Sequence, residues 1–149
     1  MSAFVTAGAG FLLAVLWFDL MFDVQVRGHQ ERELPEEVLA SIAGYYRRVT
    51  TAARPMNRLI ATVMLATLAA IAVEIASTGE QLWVALLSLS LALPPILLAG
   101  LGIVPRAVRL GARLDPLESQ SALARSIFRG HLLCAAAIAA LLALQLGFD

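Results

Sequence analysis

The sequence predicts an all-α membrane protein, a four-transmembrane-helix bundle with cytoplasmic amphipathic helices. Three observations lead there. Of the 149 residues 60% are hydrophobic and only 15% charged, with a mean hydropathy of +0.81, far from the balance of a water-soluble globule. Four segments run for about 20 residues with little or no charge, enough to cross a hydrocarbon layer roughly 30 Å thick. All eleven basic side chains are arginines, and they fall at one end of those segments. Residues 1–149 form one transmembrane domain on this reading. Soluble enzyme folds are excluded, and a net charge of zero gives no reason to expect a nucleic-acid partner.

The first span covers about residues 4–26, interrupted late by Asp19 and Asp23. It lacks a basic segment ahead of its apolar stretch and has no small-residue cleavage site in the right place, so it reads as a retained helix rather than a secretory signal. The other spans cover about residues 56–76, 82–104 and 128–148. Helices are the economical solution, because only they satisfy every backbone group within one lipid-facing segment.

Between the first two spans, Pro35 suits a first helical position, Glu36 and Glu37 the first turn, and Arg47 and Arg48 the carbonyl end. Val38, Ile42, Tyr45 and Val49 recur at helical spacing, and Leu39 and Tyr46 widen the stripe. A surface helix over about residues 35–54 follows, lying on the inner leaflet or packed under the bundle. Asp115-Pro116-Leu117-Glu118 reads as a cap, a proline at the first position and a capping-box acid, and starts a second helix over about residues 116–127, which can end there or run straight into the fourth span. Aligning Pro35 with Pro116 also pairs Glu37 with Glu118 and Arg48 with Arg129, a pattern that would fit a parallel repeat.

Arg27, Arg32, Arg47, Arg48, Arg54 and Arg58 cluster around the first long loop, and Arg106, Arg109, Arg113, Arg125 and Arg129 around the last. The short connection Ser77 to Gln81 has none. Positive-inside bias places both long loops in the cytoplasm and both termini outside. Ala135, Ala139 and Ala143, with Ala136 and Ala140, offer small-residue faces for helix contact in the last span, as Ala66 and Ala70 do in the second. Pro94-Pro95 bends the third span, with Ser88 and Ser90 placed to satisfy freed carbonyls.

The costly residues gather at one depth. Asp19 and Asp23 lie at i and i+4 on one helix face, Asn57 and Arg58 open the second span, Arg106 marks the exit of the third, and His131 lies just inside the fourth. Intramembrane ionisable groups are functional candidates by default. His131, Asp19 and Asp23 are the catalytic candidates, and Asn57, Arg58 and Arg106 the ligand-binding ones. A purely structural alternative pairs the two acids with Arg58, Arg54 or Arg106. Asp19, Asp23 and His131, with His29 or Glu118, have the right ligand types for a metal, but HxxxH, ExxH and CxxC spacings are absent and no metal is assigned. No cofactor follows from the sequence. Glu74 is expected to be solvated with Glu80, and Cys134 to be a small buried hydrophobe.

The segment Trp17-Phe18-Asp19-Leu20-Met21-Phe22-Asp23-Val24-Gln25, the stretch from Tyr45-Tyr46-Arg47-Arg48 to Ala53-Arg54-Pro55-Met56-Asn57-Arg58, and Phe128-Arg129-Gly130-His131 at the start of the last helix resemble a known family over most of the chain. It is the family of small bacterial membrane proteins related to anthrone oxygenases. There an aromatic residue and a histidine near the start of the last helix are often followed by an arginine one turn later. Phe128 and His131 match, whereas Cys134 stands at about the place of the arginine. The resemblance implies the four-helix fold before it implies a reaction. The leading functional reading is binding, and in its stronger form oxidation, of a small lipophilic quinone-like or polycyclic molecule at a polar site near the cytoplasmic leaflet. His131 or Asp19 would accept a proton there, and Arg58 or Arg106 would stabilise oxyanion charge. Two alternatives belong to other classes: a non-catalytic accessory or assembly subunit of a larger membrane complex, and a small proton- or cation-coupled transporter; the partners these readings allow are the lipid bilayer, a second copy in a homo-oligomer, or a larger membrane complex.

Overall fold

The computed structural model describes residues 2–77 and 81–148. All regular structure among them is helical: α1 (Ser2–Asp23), α2 (Glu36–Tyr46), α3 (Arg54–Ser77), α4 (Leu82–Leu98), α5 (Val104–Ala112) and α6 (Leu117–Phe148). A 3₁₀ turn, Val24–Gly28, finishes α1, and π-helical segments Arg47–Ala52 and Ala99–Ile103 follow α2 and α4. Four stretches are long and apolar enough to cross a membrane: Ser2–Gly28, Pro55–Ser77, Leu82–Ala112 and Leu117–Phe148. The chain is a multi-pass membrane protein built as a four-helix bundle, as its hydropathy pattern requires.

Within the bundle α1 neighbours α3 and α6, and α4 neighbours the same two, so α1 and α4 stand on one diagonal. Val5, Ala9 and Leu12 of α1 meet Ile71 of α3, Ala92 of α4, and Ile138 and Leu141 of α6 in the interior. Burial from lipid supplies no hydrophobic drive to such contacts, so close packing has to hold them. Gly8 permits it: a Cβ there would collide with the Thr67 hydroxyl across the α1–α3 contact. Leu65 and Leu133, by contrast, are exposed on the outer surface, at 67% each.

A second core lies at the arginine-bearing end. Leu39, Ile42 and Tyr46 of α2 pack with Ile103, Leu110 and Ile127. The expected amphipathic helix is therefore present, with its apolar stripe turned against the bundle and Ser41, Arg47 and Arg48 exposed. Pro35 stands one place before the helix rather than in its first turn. Gly111 brings α5 against the start of the π segment, where a Cβ would lie 2.9 Å from the Arg47 backbone nitrogen. Polar ties close this end. Arg113 is at φ 54, the left-handed region, and donates to Glu36 at 2.7 Å and to Gln120 at 3.1 Å. Arg125 donates to the carbonyls of His29, Glu31 and Arg32, and Ser121 accepts from the Leu34 amide at 2.9 Å.

Several expected boundaries move. The third span does not end at Val104: it passes through the π segment into α5 and reaches Ala112, the widened turn before Pro105 letting the helix continue past a residue without an amide. The helix that starts at Leu117 runs straight into the fourth span as one element of 32 residues, the continuous form that the sequence left open. The first long connection instead breaks at Ala53, so the two halves differ where a duplication would make them alike. Ala136, Ala139, Ala140 and Ala143 are exposed rather than packed within the bundle. Ser90 does bond to the Leu86 carbonyl at 2.9 Å, but Ser88 accepts from Gln145 at 2.7 Å. Glu74 is buried, not solvated, and Glu80 lies outside the described residues.

Candidate functional site

The last turn of α1 and the middle of α6, at His131, meet beside the end of α2. Asp19 and Asp23, one turn apart, point at this junction. Gln25 fastens it from below by donating to the Phe22 carbonyl at 3.0 Å and to Ser41 at 3.1 Å. Phe22 stacks on Tyr45 with centroids 4.1 Å apart, and Tyr45 meets Tyr46 edge to face. These contacts fix both phenols opposite the two acids.

Asp23 is 0% exposed. Its Oδ1 accepts from the Tyr46 hydroxyl at 2.6 Å, and its Oδ2 lies 2.7 Å from His131 Nδ1. With Asp23 ionised, Nδ1 must carry the proton of that bond, which turns Nε2 toward Asp19. The Asp19 carboxylate accepts from the Tyr45 hydroxyl at 2.7 Å through Oδ1 and places Oδ2 3.6 Å from His131 Nε2. That last separation is an ion-pair distance and exceeds a hydrogen bond. Burial, reinforced by the negative charge of the two acids, pushes both tyrosine hydroxyls far up from the ordinary phenol value, so they remain protonated donors.

The polar group closes one end of a cavity of about 420 Å³. Its walls are apolar: Phe11, Val15, Ile60, Met64, Ile96 and Ile138. Both π segments border it, the first through Val49 and Thr50, the second through Ala99 and Ile103. Such widened turns recur beside functional sites because the extra residue opens the helix locally. Ala14 and Phe18 on α1 and Met56 and Asn57 on α3 belong to the lining and are also exposed. The cavity therefore reaches the outer surface of the bundle between those helices. Its size lies within the range of small-molecule pockets, and a few convergent polar groups on an apolar wall are the usual pattern of such sites.

Of the residues singled out from the sequence, Asp19, Asp23 and His131 come together, and Asn57 lines the same cavity. Arg58 and Arg106 do not line it; both side chains are exposed. The acids take tyrosine and histidine partners in place of those two arginines. No group of three or more His, Cys, Asp or Glu side chains among the described residues is arranged to hold a metal ion. Tyr45 and Tyr46 are the members of this polar group that pattern reading missed, because it counted them as part of an apolar stripe. A signal was present: two adjacent phenols on a buried face each need a hydrogen-bond partner.

No protein-family model, curated protein or solved structure matches this chain.

Proposed function

We propose that the protein binds a small lipophilic ring compound with a hydroxyl or quinone-like head in the cavity between its spans. The observation that carries this reading is the junction of an apolar, laterally open 420 Å³ cavity with the Asp19–His131–Asp23 group. Asp19 Oδ2 and His131 Nε2 would accept a hydrogen bond from a ligand hydroxyl, while Asp23 holds the imidazole in its tautomer. The ring would lie along Phe11, Ile60 and Ile96. In an oxidation of such a ligand the same pair would take the proton, and the electron acceptor would be a separate reactant. Oxyanion stabilisation would fall to the imidazolium, since Arg58 and Arg106 stand outside the lining.

The arginine-bearing end faces the cytoplasm of a bacterial cell on this proposal, with both termini outside, because long loops rich in arginine stay on the cytoplasmic side. Labelling of single cysteines at Gln30 and Gln81, in a Cys134→Ala background, checks this: Gln30→Cys should react only from inside and Gln81→Cys only from outside. For ligand binding the test is affinity for 2-naphthol against 2-methoxynaphthalene, which has the same ring and no hydroxyl donor, with the protein in lipid nanodiscs. The naphthol should bind at least about tenfold more tightly, one good hydrogen bond to a charged group being worth about 1.5–3 kcal/mol. His131→Gln and Asp19→Asn should each narrow that difference. Equal affinities in the wild type would refute the proposed role of the polar end.

A further inference from the structure

The cavity continues beyond its lateral mouth. A second depression, a groove of about 490 Å³, runs along the outer surface between α1 and α3 toward the end of the bundle away from the arginines. The two meet at Phe11, which lines both, and on α3 Val63 borders the groove while its neighbour Met64 borders the cavity. Phe4, Ala7, Phe11, Ala14 and Phe18 recur at helical spacing and so share one face of α1. The first three line the groove and the last three the cavity, so a single helix face follows both. From Phe4 to Phe18 that face is about 21 Å long at 1.5 Å per residue, against a hydrocarbon layer roughly 30 Å thick. Among the described residues Thr67 is the only polar side chain in the groove wall, and its hydroxyl donates to the Val63 carbonyl at 2.8 Å. Ala7, Ala66 and Ala69 line the rest of the seam with methyl groups, and all three are exposed. The groove is thus shaped for hydrocarbon, whereas the cavity it enters ends in hydrogen-bonding groups.

We propose that the molecule bound in the cavity carries one long hydrocarbon tail, which leaves by the lateral mouth and lies in the α1–α3 groove as far as Phe4. This rests on the reading that the cavity receives a ring with a polar head, and it adds the class of compound: a membrane-resident long-chain phenol, quinol or quinone rather than a compact molecule taken from water. With the head held at Asp19 and His131, a substituent at the far end of the ring lies at Phe11, where the groove begins. The tail keeps its owner in the bilayer, and the mouth between Ala14 and Phe18 on α1 and Met56 and Asn57 on α3 admits it sideways. Lipid is as apolar as the groove, so the tail gains no hydrophobic drive on entering. Its gain is limited to closer dispersion contact with Phe4, Phe11 and the alanines.

The test compares 2-naphthol with 6-dodecyl-2-naphthol on the whole protein in nanodiscs, each affinity referred to the mole fraction of ligand in the bilayer so that partitioning cancels. The dodecyl compound should bind about fivefold more tightly, a size that such contacts can supply. Ala7→Leu combined with Ala66→Leu fills the groove and should bring the ratio back to near one, whereas Ala139→Leu, on the exposed face of α6, should keep it. A diazirine on the last carbon of the tail needs no variant: on irradiation of the wild type it should label residues 4–8 and 66–73 in preference to other lipid-facing positions. Equal affinities, a gain that survives the double substitution, or labels spread evenly over the outer surface overturn the tail site. Bilayer lipid or a second copy of the chain holding the groove would produce the first and the last of these. Binding of 2-naphthol without a gain from the tail overturns this proposal alone, whereas failure of both ligands to bind overturns the reading of the cavity itself.

Discussion

The imidazole of His131 on α6 and the carboxylate of Asp23 on α1 are joined through Nδ1 and Oδ2 at 2.7 Å, across 108 positions of sequence. Asp23 is wholly buried and already accepts from Tyr46, so this pair is both a clamp between two spans and the device that aims Nε2 into the cavity. Its two roles separate experimentally.

Replacing Asp23 with Asn removes a buried charge on which two donors converge. A loss of about 3 kcal/mol is expected, as for other buried pairs broken from one side. Tyr46→Phe, which leaves the bond between Asp23 and His131 and removes one donor, should lose about 1–2 kcal/mol. Asp19→Asn should lose less than Asp23→Asn, because Asp19 is the more accessible acid at the cavity end. Reversible denaturation in mixed micelles ranks the three, and a larger loss at Asp19 would contradict the division of labour.

Backbone contact at Gly111 makes a sharp packing prediction. A Cβ there meets the nitrogen and Cα of Arg47 at 2.9 and 3.0 Å, atoms that cannot rotate away. Gly111→Ala should destabilise by about 1–3 kcal/mol through displacement of α5 from α2. Gly44→Ala is the control. Nothing lies within 4 Å of its added methyl, and replacing glycine within a helix should stabilise slightly. Equal effects of the two changes would show that α5 does not sit where described.

Much of this architecture is legible in residue order, for physical reasons that differ by element. The spans announce themselves because lipid exposure forbids charge over their length, and the arginines mark one end because they cannot follow into the hydrocarbon. Asp19, Asp23 and His131 stand out by the same logic, as ionisable groups where they are expensive. Tyr45 and Tyr46 escape it because a phenol serves equally as apolar wall and as donor. The exposure of Arg58 and Arg106 is not written locally either, since a residue at a helix end can turn toward the bundle or toward solvent with no change in sequence pattern. Pro116 precedes a helix as its neighbours suggest, and with no proline or glycine between Leu117 and Arg129 the sequence allows the unbroken run into the fourth span that is found.

Arg125 gathers three carbonyls, those of His29, Glu31 and Arg32, and so holds the connection between α1 and α2. Arg125→Gln cannot span all three. Cleavage by a glutamate-specific protease at Glu31 and Glu33 should accelerate several-fold, with little change in global stability because the connection carries few buried apolar contacts. An unchanged cleavage rate would show that the Leu34–Ser121 bond and the Arg32–Glu118 pair secure the segment without Arg125.

At the turn between α5 and α6, Arg109 donates to both carboxylate oxygens of Asp115, at 2.8 and 2.7 Å. The bonds hold the Asp115 carboxyl below its ordinary value of 3.8. A depressed folded value stabilises the protein above the unfolded pKa, and that contribution disappears as pH falls through the folded value. Denaturation of wild type and Asp115→Asn should therefore differ near neutrality, and the difference should close in acid below pH 3.8. The effect is small because the pair is solvent-screened. A difference that widens in acid would contradict the sign.

Where a ligand sits decides the account most directly. With the isoleucine δ1-methyl groups labelled in nanodiscs and 2-naphthol added, intermolecular NOEs from the naphthol ring should reach Ile60, Ile96 and Ile138, which line the cavity, and should be far weaker at Ile71, which is buried in the same core but does not line it. His131→Gln should weaken them at equal ligand concentration. NOEs confined to lipid, or spread over isoleucines irrespective of the cavity and unchanged by His131→Gln, would mean that the naphthol only partitions into the bilayer, and the cavity would not be a binding site.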